Sequence, residues 1–333
     1  MDSKISFTTG NAIKIYLLIG IAGGILVSGI VIICVVISNS LKTPFDHYIN
    51  TKKSLYVWNY QNAENFIKFL TDHKFYKVYF YIGCLERNYN DLIRGNLVNT
   101  GDSDPKELIK NLTDKNIEVD LFLYLNDDPD NFANIANMPK IAQALGELQK
   151  TLKFNALHLD IAPDNEKNYE ALLKTYEDCR EYINVSAILK PKWLYVNMTE
   201  LEGYFTSSDY YKNFKDCETY ADAIMKITND SDLMAYSNTY DGVDKFLKKF
   251  DEIRDRHRSN VAKPILQLGP NITNDSLILR SNEDKDEFFK YFINVSKNYI
   301  GATIHHYEVW YEDLYCETPN SNSSYYFGAP KAC

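Results

Sequence analysis

Residues 119–161 read VDLFLYLNDDPDNFANIANMPKIAQALGELQKTLKFNALHLDI, and they contain one complete strand–helix–strand unit. The apolar runs at 119–125 and 156–161 have the length and composition of buried strands. Between them, residues 138–151 carry apolar side chains at intervals of three and four, which is the period of a helix. A helical crossover between two strands makes those strands parallel. The unit therefore predicts an α/β fold with a parallel sheet.

The same unit recurs on both sides of this segment. Strands are predicted at residues 55–58, 77–82, 119–125, 156–161, 193–196, 233–237, 265–268 and 302–307. Helices are predicted at residues 63–73, 105–115, 138–151, 169–182, 217–227, 243–257 and 284–298. Eight units within about 260 residues match a closed (β/α)8 TIM-like barrel, predicted over residues 54–315. No G-x-G-x-x-G or Walker sequence follows a predicted strand, which removes the usual nucleotide-binding reason for an open sheet, and no cofactor is expected.

Alternating side chains of a barrel strand face the surrounding helices and the interior. In the fourth strand Leu157, Leu159 and Ile161 form the apolar outward set, which points His158 and Asp160 inward. Asp160 then lies at the carboxyl end of its strand. The same rule predicts further inward-pointing side chains on the other strands: Tyr79, Tyr81, Phe122, Tyr124, Tyr195, Met234, Tyr236, Gln267, Thr303, His305 and Tyr307. Glu308 and Trp310 come just beyond the last strand.

This interior is more polar and aromatic than the Val, Ile and Leu that fill an ordinary barrel core, and it predicts a ligand cleft at the carboxyl ends of the strands. Flat aromatic rings beside hydrogen-bonding groups suit a sugar, which has apolar C–H faces and a rim of hydroxyl groups. The alternative is that the tyrosines only pack, with their hydroxyls satisfied. The predicted substrate-binding residues are Tyr81, Tyr124, His158, Tyr195, Tyr236, Gln267, His305, Tyr307 and Trp310.

The segment NALHLDIA at 155–162, LMAY at 233–236 and Trp310 resemble the chitinase-like barrels of glycoside hydrolase family 18. In that family the fourth strand carries Asp-x-x-Asp-x-Asp-x-Glu, the final Glu protonates the glycosidic oxygen, and the Met-x-Tyr of strand six lines the sugar site. The motif falls here on Asn155, His158, Asp160 and Ala162, so one carboxylate of four remains and the proton donor is missing.

HLDIAP at 158–163 and IHHYEVW at 304–310 also resemble poorly characterised bacterial barrels that carry His-Leu-Asp-x-Glu-Pro and Ile-His-His-Tyr. That comparison again has Ala162 where a Glu stands in the pattern. Both resemblances imply a barrel of glycosidase type with a degenerate catalytic motif.

Several functions stay open at this point. Asp160 is the candidate catalytic residue, with Glu308 or Asp164 as its partner, because hydrolysis of a glycoside needs an acid and a second carboxylate. A lectin-like or adhesive pseudoenzyme would bind sugar without turnover. Metal-assisted hydrolysis through His158, Asp160 and His305 is a further alternative. A purely structural surface protein would need no cleft.

Residues 15–37 read IYLLIGIAGGILVSGIVIICVVI, a run without charge. About 20 apolar residues are enough to cross a bilayer, so the run predicts a signal-anchor helix between a cytoplasmic tail at 1–14 and a stalk at 38–53. Residues 316–333 form a C-terminal tail. The four glycines of the span, at positions 20, 23, 24 and 29, leave a homodimer through this helix open.

Glycosylation sequons decide the predicted orientation, because acceptor sites matter only outside the cytosol. Asn197 is expected to stay unmodified, since a glycan at the end of the predicted fifth strand would crowd the cleft. A single-pass type II protein of the secretory pathway or cell surface follows. The sequons expected to be glycosylated are at Asn111, Asn184, Asn229, Asn271, Asn274, Asn294 and Asn322.

An odd number of cysteines lies outside the span, and the expected pairs in an oxidising compartment are Cys316–Cys333 and Cys179–Cys217. The net charge of −9 and a pI near 5.3 argue against nucleic acid as a partner.

Overall fold

The barrel predicted from the sequence is present. The computed structural model describes residues 52–60, 62–125, 133–161, 163–257, 261–269, 277–278, 282–299 and 301–305. Eight parallel strands pair in the order β6–β5–β4–β3–β2–β1–β9–β7, and a β6–β7 pairing closes the ring. These strands are β1 (Lys53–Val57), β2 (Phe75–Cys84), β3 (Glu118–Leu125), β4 (Ala156–Ile161), β5 (Val185–Leu189), β6 (Asp230–Met234), β7 (Val261–Gly269) and β9 (Ala302–His305); the short β8 (Leu277–Ile278) pairs with the end of β7.

Amphipathic helices pack around the strands. Their sequences also set where they begin: Asp104 accepts a hydrogen bond from the backbone N–H of Lys106 at the start of the helix Pro105–Asp114, and Thr219 and Asp222 form a capping box at the start of the helix Tyr220–Ile227. The described helices of eight or more residues are α1 (Ala63–Asp72), α2 (Leu85–Leu92), α3 (Pro105–Asp114), α4 (Met138–Gln149), α5 (Tyr169–Arg180), α6 (Tyr220–Ile227), α7 (Tyr240–Arg254) and α8 (Asn282–Asn298). Two one-turn helices, Met198–Leu201 and Ser208–Tyr211, lie between α5 and α6.

The predicted fifth strand at 193–196 is wrong. β5 is Val185–Leu189, and the apolar run that was predicted as a strand is a 3-10 turn, Pro191–Leu194, and the residues after it. Trp193 is fully buried in the outer layer, where its indole N–H donates to Tyr169 Oη at 3.1 Å. Tyr195 follows the turn with 58% of its surface exposed, so the inward position expected for it falls with the strand.

The predicted Cys179–Cys217 disulfide is also wrong. Both thiols are free and buried, and burial raises the pKa of Cys217 to about 12. The sequence order of two cysteines does not fix the distance between them. Cys316 and Cys333 lie outside the described residues.

The predicted membrane span, with the tail before it, lies outside the described residues. Within the ranges that are described, no helix is both long and apolar enough to cross a bilayer. Asn271, Asn274 and Asn322 are likewise outside. The other sequon asparagines are all exposed on the barrel domain: Asn111, Asn184, Asn197, Asn229 and Asn294.

Candidate functional site

The carboxyl ends of the strands surround a partly exposed aromatic mouth. We define the mouth as Trp58, Tyr124, Asp160, Tyr236 and His305. Tyr124 and Tyr236 are half-buried and pack on a fully enclosed layer below. That layer consists of Tyr56, Tyr79, Tyr81, Phe122, Ile188 and Ile265.

His305 connects three strands at the mouth. The indole N–H of Trp58 donates to His305 Nε2 at 3.1 Å, and the Tyr236 ring stacks on the imidazole with centroids 5.5 Å apart. Trp58 follows β1, Tyr236 follows β6 and His305 ends β9. His305 is therefore fixed by the hydrogen bond from Trp58 and by stacking on Tyr236, and the stacked pair presents an aromatic face.

Asp160 lies at the end of β4, opposite Tyr124 in the β3 register, and only 7% of it is exposed. Burial, together with the negative charge of Asp160, raises the pKa of Tyr236 well above its ordinary value. The phenol is therefore neutral and can donate a hydrogen bond to a ligand.

Below the mouth, His158 is fully buried between two hydroxyl groups. Tyr56 Oη lies 2.5 Å from Nε2, and Ser186 Oγ lies 2.7 Å from Nδ1. Burial lowers the pKa of His158 well below its usual range, and the charges of Lys77 and Lys263 lower it further. The ring is thus neutral, donating through one nitrogen and accepting at the other.

These contacts argue against His158 as a metal ligand. Both nitrogens of His158 are engaged, and no three His, Cys, Asp or Glu side chains of the described residues converge as a metal site. The alternative ligand set of His158, Asp160 and His305 is therefore not assembled as a metal site.

Asp164 is a poor partner for Asp160 in acid catalysis. It lies on the surface, paired with Lys192 and Lys190, and the hydrogen bond from Lys192 lowers its pKa below the ordinary value. A carboxyl that is ionised at neutral pH does not donate a proton. Glu308, the other predicted partner, lies outside the described residues.

Of the predicted binding residues, the structure brings Tyr81, Tyr124, His158, Tyr236 and His305 together. Tyr81 and His158 are buried beneath the mouth, so they support it from below.

Gln267 on β7 pairs in register with His305, but its side chain is outside the described part. Tyr307 and Trp310 are outside the described residues, and Tyr195 lies on the flank.

Three residues of the site and its support were not predicted from the sequence: Tyr56, Trp58 and Ser186. Tyr56 and Trp58 alternate with Leu55 and Val57, so the alternation rule would have found them on the first strand. Ser186 was not predicted because the fifth strand was expected at 193–196, whereas β5 is Val185–Leu189.

The amino ends of the strands enclose a group of charges, the charged plug, made of Lys77, Asp120, Asp230, Asp232 and Lys263. Lys77 Nζ lies 2.6 Å from Asp120 Oδ2 and 3.2 Å from Asp230 Oδ2. Lys263 Nζ lies 3.2 Å from Asp230 Oδ2 and 3.7 Å from Asp232 Oδ1. The plug thus links β2, β3, β6 and β7 at the end opposite the mouth.

Three carboxylates share two ammonium groups in this plug. Burial raises the pKa of Asp232 to about 7, against the attraction of Lys263, and the neighbouring charge of Asp230 raises it further. Lys263 also donates to Tyr79 Oη at 2.8 Å, which joins the plug to the aromatic layer above it.

No protein-family model and no curated protein matches the chain. Among solved structures, it is similar to a chitinase from Bacteroides thetaiotaomicron (13% identity, 76% of this chain and 88% of that one, TM-score 0.48). It is also similar to the family 18 chitinase ChiB of Flavobacterium johnsoniae (13% identity, 76% and 87%, TM-score 0.44) and to a chitinase-like lectin of tamarind (9% identity, 77% and 94%, TM-score 0.42). At such identities and TM-scores, these similarities do not bear on function.

Proposed function

We propose that this protein binds carbohydrate at the mouth of a glycosidase-like barrel. The observation that carries the proposal is the partly exposed Tyr236, stacked on His305 and close enough to the nearly buried carboxylate of Asp160 to feel its charge. A pyranose ring can lie on the aromatic face while its hydroxyls bond to Asp160, Tyr236 and Tyr124. An ordinary packed core needs neither a carboxylate nor partly exposed rings at this position.

The proposal favours binding without turnover. The residue at the position of the family's proton donor is Ala162, and Asp164 is held ionised by lysines. Hydrolysis by Asp160, with Glu308 as its partner, is the second candidate, because Asp160 is a carboxylate of the mouth as defined from the described residues.

The test is binding of soluble oligosaccharides, first on a glycan array and then by calorimetry with the best ligand and with chito-oligosaccharides. Tyr236→Ala is expected to weaken binding at least about tenfold, which corresponds to about 1.4 kcal/mol. Tyr182→Ala is the matched control, since Tyr182 is an exposed tyrosine that precedes β5 at the opposite end of the barrel. Equal affinity of the two variants, or an array without any ligand, would refute the proposal.

The proposal includes a location for the domain outside the cytosol, anchored through residues 15–37. It is supported by the uncharged run itself and by the sequons, of which every described one is exposed. Alkaline extraction should leave the full chain in the membrane fraction, and protease added to sealed microsomes should spare residues 54–315. Digestion of the barrel in sealed vesicles would reverse the assigned orientation.

A further inference from the structure

Three large apolar side chains of the described residues are exposed, and two of them occupy the same place relative to a sequon. Tyr182 and Tyr195 are 43% and 58% exposed. Each lies two residues before the asparagine of a sequon, Asn184 and Asn197. A single exposed tyrosine needs no explanation, but this repeated placement does.

In both places the intervening residue turns inward. Ile183 is 5% exposed and Val196 is half-buried, whereas the flanking tyrosine and asparagine are exposed. Tyr195 ends the 3-10 turn and Asn197 caps the short helix that begins at Met198. Both side chains line one surface groove, so the Tyr195 ring and the Asn197 amide face the same stretch of solvent.

Asn197 has the atom needed for modification available. Its Oδ1 accepts hydrogen bonds from the backbone N–H and the Oγ1 of Thr199, at 3.0 and 2.9 Å. Within the described residues its Nδ2 makes no hydrogen bond. The glycosylated atom of a sequon is this nitrogen.

A surface groove of about 570 Å³ adjoins this amide. Tyr195, Asn197, Thr199 and Lys249 are among its lining residues, and no residue of the mouth lines it. The expectation that Asn197 stays unmodified relied on a fifth strand ending at the cleft, and that strand lies elsewhere. A glycan at Asn197 would occupy the flank.

We propose that Asn197 is N-glycosylated and that its first N-acetylglucosamine packs its apolar face on the Tyr195 ring, with Tyr182 serving the glycan of Asn184 in the same way. In the transfer step, Nδ2 attacks the anomeric carbon of a lipid-pyrophosphate-linked oligosaccharide. The N–C bond forms, the bond from that carbon to the pyrophosphate oxygen breaks, Nδ2 loses a proton, and the lipid pyrophosphate leaves. This inference rests on the proposed location outside the cytosol.

Other sequons of the same chain provide internal controls. Ile109 and Phe292 stand two residues before Asn111 and Asn294, and both side chains are fully or almost fully buried. Glycans at these two sites have no exposed ring at that position, yet they report equally on the compartment.

The experiment expresses the full chain in a eukaryotic secretory host and measures glycopeptide occupancy by mass spectrometry. Occupancy at Asn197, together with Asn111 or Asn294, is expected. Modification of Asn111 or Asn294 with Asn197 bare would overturn the inference and leave the location intact. No modification at any sequon would overturn the location as well.

A mutant cycle tests the contact between ring and glycan. With the sequon intact, Tyr195→Ala is expected to lower the melting temperature by about 2 °C, and Tyr195→Phe is expected to leave it unchanged. In a Thr199→Ala background, which abolishes the sequon, Tyr195→Ala should have no effect, whereas a Thr199→Ser background should restore it. An equal effect of Tyr195→Ala with and without the sequon would rule out stacking.

Discussion

Two buried tyrosine hydroxyl groups of this barrel differ in whether they have a hydrogen-bond partner. Tyr56 Oη contacts the neutral His158, whereas Tyr176, also fully buried, has a hydroxyl without a hydrogen-bond partner among the described residues. A satisfied buried hydrogen bond stabilises modestly, but an orphaned polar atom costs free energy.

Tyr56→Phe is therefore expected to lower the free energy of unfolding by about 1–3 kcal/mol, because it leaves His158 Nε2 unpaired. Tyr176→Phe is expected to be neutral or slightly stabilising. Urea denaturation of both variants measures the difference, and a larger loss for Tyr176→Phe would contradict the assigned contacts.

Asp232 gives the charged plug a dependence on pH. Its pKa is raised by burial from 3.8 to about 7 in the folded state, so the folded protein holds this proton over a window in which the unfolded chain releases it. The resulting stabilisation is complete below pH 3.8 and is lost as the pH rises through 7. The lowered pKa of His158 has the opposite effect on stability. Below pH 6.5 the unfolded chain binds a proton at this residue that the folded protein does not, so this contribution falls as the pH falls.

The difference in unfolding free energy between the wild type and Asp232→Asn isolates this group. Relative to the variant, the wild type should gain stability as the pH falls from 7 to 4, by at most about 1.4 kcal/mol per pH unit. Denaturation series at several pH values measure it, and parallel curves would show that Asp232 is ionised throughout.

The alternation of side chains predicted Tyr79, Phe122, His158 and Asp160 correctly, because a closed barrel leaves one face of each strand no other place to point. The same rule, followed to the amino ends, places Lys77, Asp120, Asp232 and Lys263 inside as well. From the sequence alone, however, charged residues at the start of a strand are indistinguishable from ordinary solvent-exposed ends. Nothing in the sequence indicates that they pair with one another.

At the scale of elements, seven of the eight barrel strands overlap their predicted segments and the fifth does not. The runs WLYV at 193–196 and VSAIL at 185–189 are both apolar, and the second contains Ser186, which bonds to His158 in the barrel interior. Trp193 is buried in a different place, since it packs between Tyr169 and Tyr220 in the outer layer. Hydropathy cannot distinguish these two kinds of burial.

The entry to β9 depends on a glycine. Gly301 has φ 141°, and a Cβ there would lie 2.5 Å from the carbonyl oxygen of Lys52, to which Ala302 donates its N–H. Gly301→Ala is expected to cost at least about 2 kcal/mol, from the unfavourable φ and the clash. Gly203→Ala is the matched control, because a Cβ there meets nothing within 4 Å. Thermal denaturation compares them, and equal midpoints would contradict the tight β1–β9 approach.

For the molecule as a whole, the outcome to expect is a barrel that binds sugar and does not cleave it. Purified protein should leave chito-oligosaccharides intact over hours, as measured by chromatography of the products. Turnover by the wild type that disappears in a folded Asp160→Asn variant would instead establish that the protein is a hydrolase.

The charged plug also limits how the polypeptide can fold as it is synthesised. Lys263 is on β7, whereas Asp120 and both aspartates of β6 precede it in the chain. A growing chain that ends before β7 has three carboxylates and one ammonium group to bury, which is unfavourable in a low-dielectric interior. Half-barrels of this sequence should therefore stay open on the ribosome, and the plug should form only after β7 has left the exit tunnel. The ring then closes with β9, which pairs with both β7 and β1.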